Sequence, residues 1–488
     1  MKFAAILLVL LCSSFLFAKG PKYTKPEVTV PQNWQAPPPW HEAAPMDSIP
    51  KGPWWTLFND SELNQYEERA MASNQTLKAA IARLGEARSF ARITSSDLYP
   101  HLSAGISGQR ERLSGNRPLL GGTTAMLNPV TQSDFQLPFD LNYEIDLFGR
   151  VRHNVEVANA SYQASAADLE NVRLTVSAEL AGDFFQLREL DAEMAVVIKA
   201  IDFEQKGLQV VDNRHTGGAA SGLDVAQQQT VLDATIAQLA LLKQQRDQFQ
   251  HAVAALQGLP ASSFTAPVRA LAVEPPAIPL ILPSELLERR PDVAENERNV
   301  AAANARIGVA RAAFYPSISL SGSGGFDSRD ITKLLTAPSA FWSIGLSALE
   351  PVLNGGRNRA TLENARAVYD ENVANYRESA LTAFQQVEDA LSGLNALTSA
   401  SEAQVRAVAD ADRALNLANA RYSGGLVTYL DVVTAQEQLL NNERLSTQIL
   451  GQRLTTSVLL VKALGGGWDS ASLSAVGIKP SLKQAVQQ

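Results

Sequence analysis

One motif occurs twice in this chain, and its spacing limits the fold more than composition does. Arg214-His215-Thr216-Gly217-Gly218, followed by Leu223-Asp224-Val225 and Gln229, returns as Arg421-Tyr422-Ser423-Gly424-Gly425, followed by Leu430-Asp431-Val432 and Gln436. Positions 214 and 421, 217 and 424, and 224 and 431 are each 207 apart. Each copy lies between long segments without proline, rich in alanine and polar side chains. It reads as a glycine turn joining two helices, with Asp just inside the second. The chain is a duplicated unit with two matching hairpin tips.

No Pro/Gly/Ser linker divides the 488 residues, so the duplication is a better organising unit than independent globules. The expected parts are a signal peptide at 1–18, an extended arm at 19–59, a first structural repeat at 60–283, a second at 284–466, and a tail at 467–488. Lys2 followed by an apolar stretch from Phe3 to Ala18 has the form of a secretory signal, with cleavage after Ala18. The single cysteine, Cys12, lies inside it, so disulfides and thiol chemistry are not expected. Leu11 is large where a small residue normally precedes an acylated cysteine, which argues against lipidation.

The arm carries several prolines and Trp34, Trp40, Trp54 and Trp55, the composition of a strap that wraps a surface. Asp60 then caps a helix expected to run toward Asp97. At Leu98 the period changes from helical to alternating. Leu102, Ala104 and Ile106 alternate with polar or small residues. Phe135, Leu137, Phe139, Leu141, Tyr143, Ile145 and Leu147 do so again. A proline-free rod begins at Gly149-Arg150 and reaches the first tip; a return helix spans Ser221 to Gly258; a Pro-rich piece runs from Pro260 to Pro283. The cycle then repeats, with a helix restarting at Arg289-Arg290-Pro291-Asp292, strands at Ile318–Leu320 and Trp342–Ala348, and a second rod from Gly356-Arg357. At 1.5 Å per residue each rod is roughly 96 Å long, far beyond a globular core.

Other functions leave no trace. Net charge is -8 and no basic patch carries interleaved aromatics, which excludes nucleic acid as a partner. No run of about 18 apolar residues follows the first 20, which excludes transmembrane helices but not a barrel. The histidines His41, His101, His153, His215 and His251 fall in five elements without ligand spacing, so no metal is expected. No convergent polar constellation suggests an enzyme or a cofactor. Gly322, Gly324 and Gly325 follow a strand without opening a helix, a loop or strand-kink signal rather than a nucleotide site.

Four strands per chain are too few for a bacterial membrane barrel, which begins at eight, and open edges in lipid leave backbone groups unpaired. A barrel must be shared, by two chains with eight strands or three with twelve. The apolar positions Leu362, Ala365, Val368, Tyr369, Val373 and Tyr376 suit a helix with neighbours on both sides.

Along nearly its whole length the chain resembles outer-membrane factors of the TolC type, close to the RND-associated branch. The resemblance rests on Gly20-Pro21-Lys22-Tyr23 with Pro26, Asp140–Arg150, Leu287–Asp292, Ala305–Pro316, Asn354–Arg357 and both tips. It implies a mainly α chain in a homotrimer. A twelve-stranded β-barrel in the outer membrane would continue into a long periplasmic α-helical barrel with an equatorial belt, near which the tail would lie. It implies a passive conduit for an inner-membrane RND-type pump, reached through a periplasmic adaptor. Phe17 stands where many relatives carry the acylated cysteine. Rival readings are a periplasmic coiled-coil structural protein and a type I protein-secretion conduit.

The tips hold the candidate site. Gly217, Gly218, Gly424 and Gly425 would let a partner's helical hairpin approach the backbone; their other reading is helix capping. Asp224 and Asp431 either cap their helices or, gathered in a trimer, form an acidic periplasmic gate, and the two roles are compatible. Arg214 and Arg421 are available to pair with them, and Tyr422 to add a hydrogen bond.

Overall fold

A computed structural model describes residues 20–34, 52–115, 129–271, 273–278, 280, 283–470, 473 and 476. The expected signal segment with Cys12, the part of the arm holding Trp40, and most of the tail lie outside the described residues. Residues 20–34 form an extended strap. Tyr23, Val28, Val30 and Trp34 pack on the main core, the Tyr23 hydroxyl donates to Glu297, and Asn304 donates to the Pro21 carbonyl at 3.0 Å.

Helix α1 (Ser61–Ser73) is capped by Asp60, whose carboxylate accepts from the Glu62 and Leu63 amides. The helix expected to continue toward Asp97 breaks at Asn74, and α2 (Gln75–Ser96) starts anew. Asn74 leaves helical geometry because its side chain serves two ends at once. It accepts from the Leu77 amide at 2.9 Å and donates to the Leu256 carbonyl at 2.8 Å.

Strands β1 (His101–Ala104) and β2 (Ser107–Leu113) share one register on β3 (Val130–Glu144), so they are a single stave interrupted at 105–106. Gly105 there faces Pro138, which accepts a bond at 3.0 Å but has no N–H to return one. Strands β4 (Ser317–Ser328) and β5 (Ala340–Leu349) complete an antiparallel meander in the order β1/β2, β3, β4, β5. The glycines at 322, 324 and 325 lie inside β4 rather than in a loop. Gly322 and Gly324 leave room for Leu141, Phe139, Ile344 and Trp342 on the strands either side, and a Cβ on Gly325 would sit 2.0 Å from the Leu137 carbonyl.

Strand β3 stops at Glu144, short of the expected alternation through Leu147, because the next residues turn the chain into the rod. Glu144 holds Arg150 through two hydrogen bonds (2.8 and 2.5 Å), and Asp146 accepts from the Arg152 amide at 2.9 Å. Gly149 and Gly356, at φ 82° and 83°, make the same left-handed entry into α3 (Arg150–Thr216) and into the second rod. α4 (Gly222–Leu256), a short α5 (Pro283–Arg289) that the Pro-rich reading did not foresee, α6 (Pro291–Ala312), α7 (Arg357–Ser423) and α8 (Tyr429–Ala463) are the remaining α-helices among the described residues. Both rods are 67 residues long and both return helices 35, so the duplication in sequence is a duplication in length. Helix α3 packs against α2, α4, α6 and α8, and the second rod α7, whose apolar positions suit neighbours on both sides, packs against α6 and α8.

The main core lies midway along the rods. Trp54, Phe58, Tyr66, Phe184, Phe185, Phe264, Tyr376 and Leu454 are buried together. Within it Arg188, 1% exposed, pairs with Asp191 (2.7 Å) and Glu62 (2.6 Å), and Asp191 also holds Arg246 at 2.6 Å. Loss of Asp191 would leave the buried Arg246 without its carboxylate and Arg188 with Glu62 alone, a change on the order of 3–5 kcal/mol.

No described helix is long and apolar enough to cross a membrane. The apolar faces of the strands are instead left bare: Trp342 is 80% exposed, Ile344 75% and Leu346 69%. Trp342 should therefore be quenched by phospholipids brominated on their acyl chains, whereas Trp34, Trp54 and Trp55 pack in the central core. Most quenching should vanish in Trp342→Phe; full quenching in that variant would show that this face does not meet lipid.

Candidate functional site at the hairpin tips

The two turns are built alike. After α3, the Gly217, Gly218 and Ala219 amides bond back to the Asn213, His215 and Arg214 carbonyls at 3.1, 2.9 and 2.7 Å. After α7, Gly424, Gly425 and Leu426 repeat the pattern on Ala420, Tyr422 and Arg421. The four glycines nevertheless divide into two kinds. Gly218 (φ 76°) and Gly425 (φ 72°) occupy the left-handed region, so the turn itself demands glycine there. Gly217 and Gly424 are right-handed, and a Cβ on either would meet backbone oxygens only at ordinary contact distances of 3.4 and 3.6 Å. The turn gives no reason for glycine at 217 or 424.

Asp224 and Asp431 each close a helix start. The Asp224 carboxylate accepts from the Ser221 amide (2.9 Å) while the Ser221 hydroxyl accepts from the Asp224 amide (3.2 Å). Asp431 accepts from both the amide and the hydroxyl of Thr428, at 3.1 and 2.7 Å. Asp224 is half-buried and Asp431 exposed. The second oxygen of each carboxylate has no hydrogen-bond partner among the described residues.

Within one chain the arginines do not reach these carboxylates. Arg214 stacks its guanidinium over the Tyr422 ring at 4.6 Å, and so ties the first tip to the second. Arg421 is exposed and has no ion pair among the described residues. The structure thus brings Arg214 and Tyr422 together and leaves Arg421 and Asp431 facing solvent.

Three residues at the tips escaped the motif reading. Tyr429 packs on Tyr422 with ring centroids 5.0 Å apart and donates its hydroxyl to Gln228 at 2.8 Å; Gln228 donates to the Glu204 carbonyl at 2.9 Å. Burial, then the neighbouring Tyr422 and Asp224, push the Tyr429 phenol up to about 12. The chain from Arg214 through Tyr422, Tyr429 and Gln228 to Glu204 crosses all four long helices. A signal for it exists in the sequence: at the 207-residue offset Tyr429 matches Gly222, a large difference inside an otherwise matched motif. In the first repeat the place of Tyr422 is taken by His215, whose ring lies against Gly222 and bonds the Ala220 carbonyl at 3.0 Å.

Among the described residues no group of His, Cys, Asp and Glu could hold a metal ion. What the tips offer is backbone access, exposed charge of both signs and a cross-repeat latch.

Comparison with known proteins fits this architecture. The family described as outer membrane efflux protein matches residues 68–259 and 282–466. The pyoverdine export outer membrane protein OpmQ of Pseudomonas aeruginosa is 33% identical over 86% of this chain and 88% of its own length. The outer membrane protein OprJ of the same organism is 32% identical over 92% and 93%. The structure of the outer-membrane channel OprN superposes with a TM-score of 0.85 at 29% identity, covering 92% of this chain and 99% of that one. The chain belongs to the outer membrane efflux protein family, and is an outer-membrane channel of an efflux system with a long periplasmic helical barrel.

Proposed function

We propose that three copies close one conduit, with twelve strands in the outer membrane and twelve long helices below, and that it works in a tripartite system with a periplasmic adaptor and an inner-membrane RND-type pump. The observation that carries the reading is the sheet of four staves whose outer members, β1/β2 and β5, each keep one unpaired edge while their apolar faces are bare. Backbone groups left open in lipid cost several kcal/mol each, so the edges need another chain. Kinship to the family supports three copies rather than two. Crosslinking in mild detergent should stop at three chains; a monomer that conducts ions in bilayers would refute the assembly.

Adaptor docking falls on Gly217 and Gly424, the two tip glycines whose backbone any residue could adopt. Replacing both with Leu should leave assembly and surface delivery intact, cut adaptor pull-down by roughly tenfold or more, and abolish efflux. Substitution at Gly218 or Gly425 would instead strain the turn by about 1–3 kcal/mol and mix the two effects. Unchanged pull-down in Gly217→Leu/Gly424→Leu would remove these glycines from the docking site.

The gate is the acidic ring that Asp224 and Asp431 would form in the trimer, with Arg421 as the exposed cation able to bridge to a neighbouring chain. Capping and gating separate on one substitution. Asn keeps a cap acceptor but loses the charge. Asp224→Asn with Asp431→Asn should lower cation selectivity and divalent-ion block in single-channel recordings at unchanged thermal stability. Arg421→Ser should raise conductance. Wild-type selectivity in the double Asn variant would leave capping as the whole role of both carboxylates.

A further inference from the structure

Strand parity assigns a face to every barrel residue. The residues that share a face with Phe135, Leu137, Phe139, Leu141 and Tyr143 of β3 are Phe326 and Leu320 of β4, Ile344 and Leu346 of β5, and Leu102 of β1. This apolar face meets lipid, and the opposite face, with Gln109, Glu111, Gln132, Asp134, Gln136 and Asp327, meets water. Followed past Phe135, away from the rods, the lipid-side face changes abruptly. Opposite Ser133 and Thr131 it carries Arg110 and Arg112.

Both arginines are exposed. Their outward neighbours across the ladder are hydroxyls, and neither guanidinium has an ion pair among the described residues. The nearby carboxylates are engaged on the opposite face, Glu111 with Gln132 at 2.7 Å and Asp134 with Gln136 at 3.0 Å. The eight steps from Phe135 to Tyr143 span ~27 Å along the strand, or ~20 Å across the membrane once tilted, close to the usual apolar band. Arg110 and Arg112 then lie ~5 and ~10 Å beyond Phe135 at the same tilt, at the edge of that band and among the lipid headgroups of the leaflet remote from the periplasm. A guanidinium there matches phosphate oxygens in charge and in bidentate geometry.

We propose that Arg110 and Arg112 clamp a phosphate-bearing lipid of the outer leaflet against the extracellular rim of the barrel, once per chain. The inference goes beyond the conduit reading and rests on it for the outward direction of the apolar face, which Trp342 quenching tests separately. Full-length protein in detergent is incubated with diphosphorylated lipid A, with its dephosphorylated counterpart, or with inorganic phosphate, and bound lipid is counted by native mass spectrometry alongside thermal stability. Wild type should retain the diphosphorylated lipid, show a rise in thermal midpoint with it alone, and discriminate against the dephosphorylated form. Arg110→Ser with Arg112→Ser should weaken retention on the order of tenfold, and Arg110→Lys with Arg112→Lys should restore part of it. Arg413→Ser, on a rod, should change nothing. Equal retention by the double Ser variant, no discrimination by wild type, or an equal shift with inorganic phosphate would each overturn the proposal. Should the double Ser variant fail to assemble, the wild-type comparison of the two lipids decides alone.

Discussion

Hydrocarbon offers no hydrogen bonds to a backbone, and the rest of this molecule follows from that. A four-stave sheet with one bare apolar face cannot end in lipid, so its two edges must find strands elsewhere. The chain supplies no further described strand. What it supplies is two short hairpins, each delivered at the far end of a 67-residue helix, and a sequence in which both hairpins and both helices recur. Duplication makes the two rods, and likewise the two return helices, equal in length, which suits them to places in a common wall.

A wall of rods that long needs a brace, and the charged residues provide it where the aromatic core is thickest. Arg290, in the Leu287–Asp292 motif, binds Asp292 through two bonds while another of its nitrogens reaches Gln386 and the Ala463 carbonyl at the end of α8. Just beyond, Gly465 (φ 89°) passes so close that a Cβ would sit 2.0 Å from the Arg289 carbonyl. One short motif thus stops a return helix, starts another helix and grips a rod. In the first repeat the Arg188, Asp191 and Arg246 group ties the rod to the return helix α4, to Glu62 at the start of α1 and to the Ala266 and Pro267 carbonyls. Buried charge of this sort contributes little net stability compared with apolar side chains, but a missing partner is costly, so it fixes one arrangement of the rods over others.

Much of this was legible because the signals are periodic. Rod lengths followed from the absence of proline, strand faces from alternation, and the repeats from a constant offset. What was not legible depended on contacts between distant segments. The break at Asn74 arises because that side chain also reaches Leu256, and the glycines of β4 serve strands on either side rather than a loop. The end of β3 at Glu144 depends on Arg150 and Arg152 folding back. At the tips the motif gave the glycines and the carboxylates, but not the division of the glycines into conformational and open positions, which only φ reveals. The latch through Tyr429 lies outside the repeated pattern, because it is built from a pair that the two repeats do not share.

That unmatched pair bears on how such a tip can move. Identical repeats would give six equivalent hairpins in the proposed trimer, and a uniform load would open them alike. Here the second repeat contributes Tyr422 and Tyr429 where the first has His215 and Gly222, and the cation–π contact takes Arg214 rather than Arg421. The first hairpin is thereby fastened to the second through a buried phenol and Gln228, while its own turn is closed locally by His215. Pulling the first tip outward must break contacts on another hairpin, whereas Arg421 and Asp431 can change partners at the surface. In the proposed conduit the two tips are therefore unequal, since Arg421 and Asp431 stand at the surface while the Tyr422–Tyr429 latch holds Arg214 and Gln228 of the first hairpin.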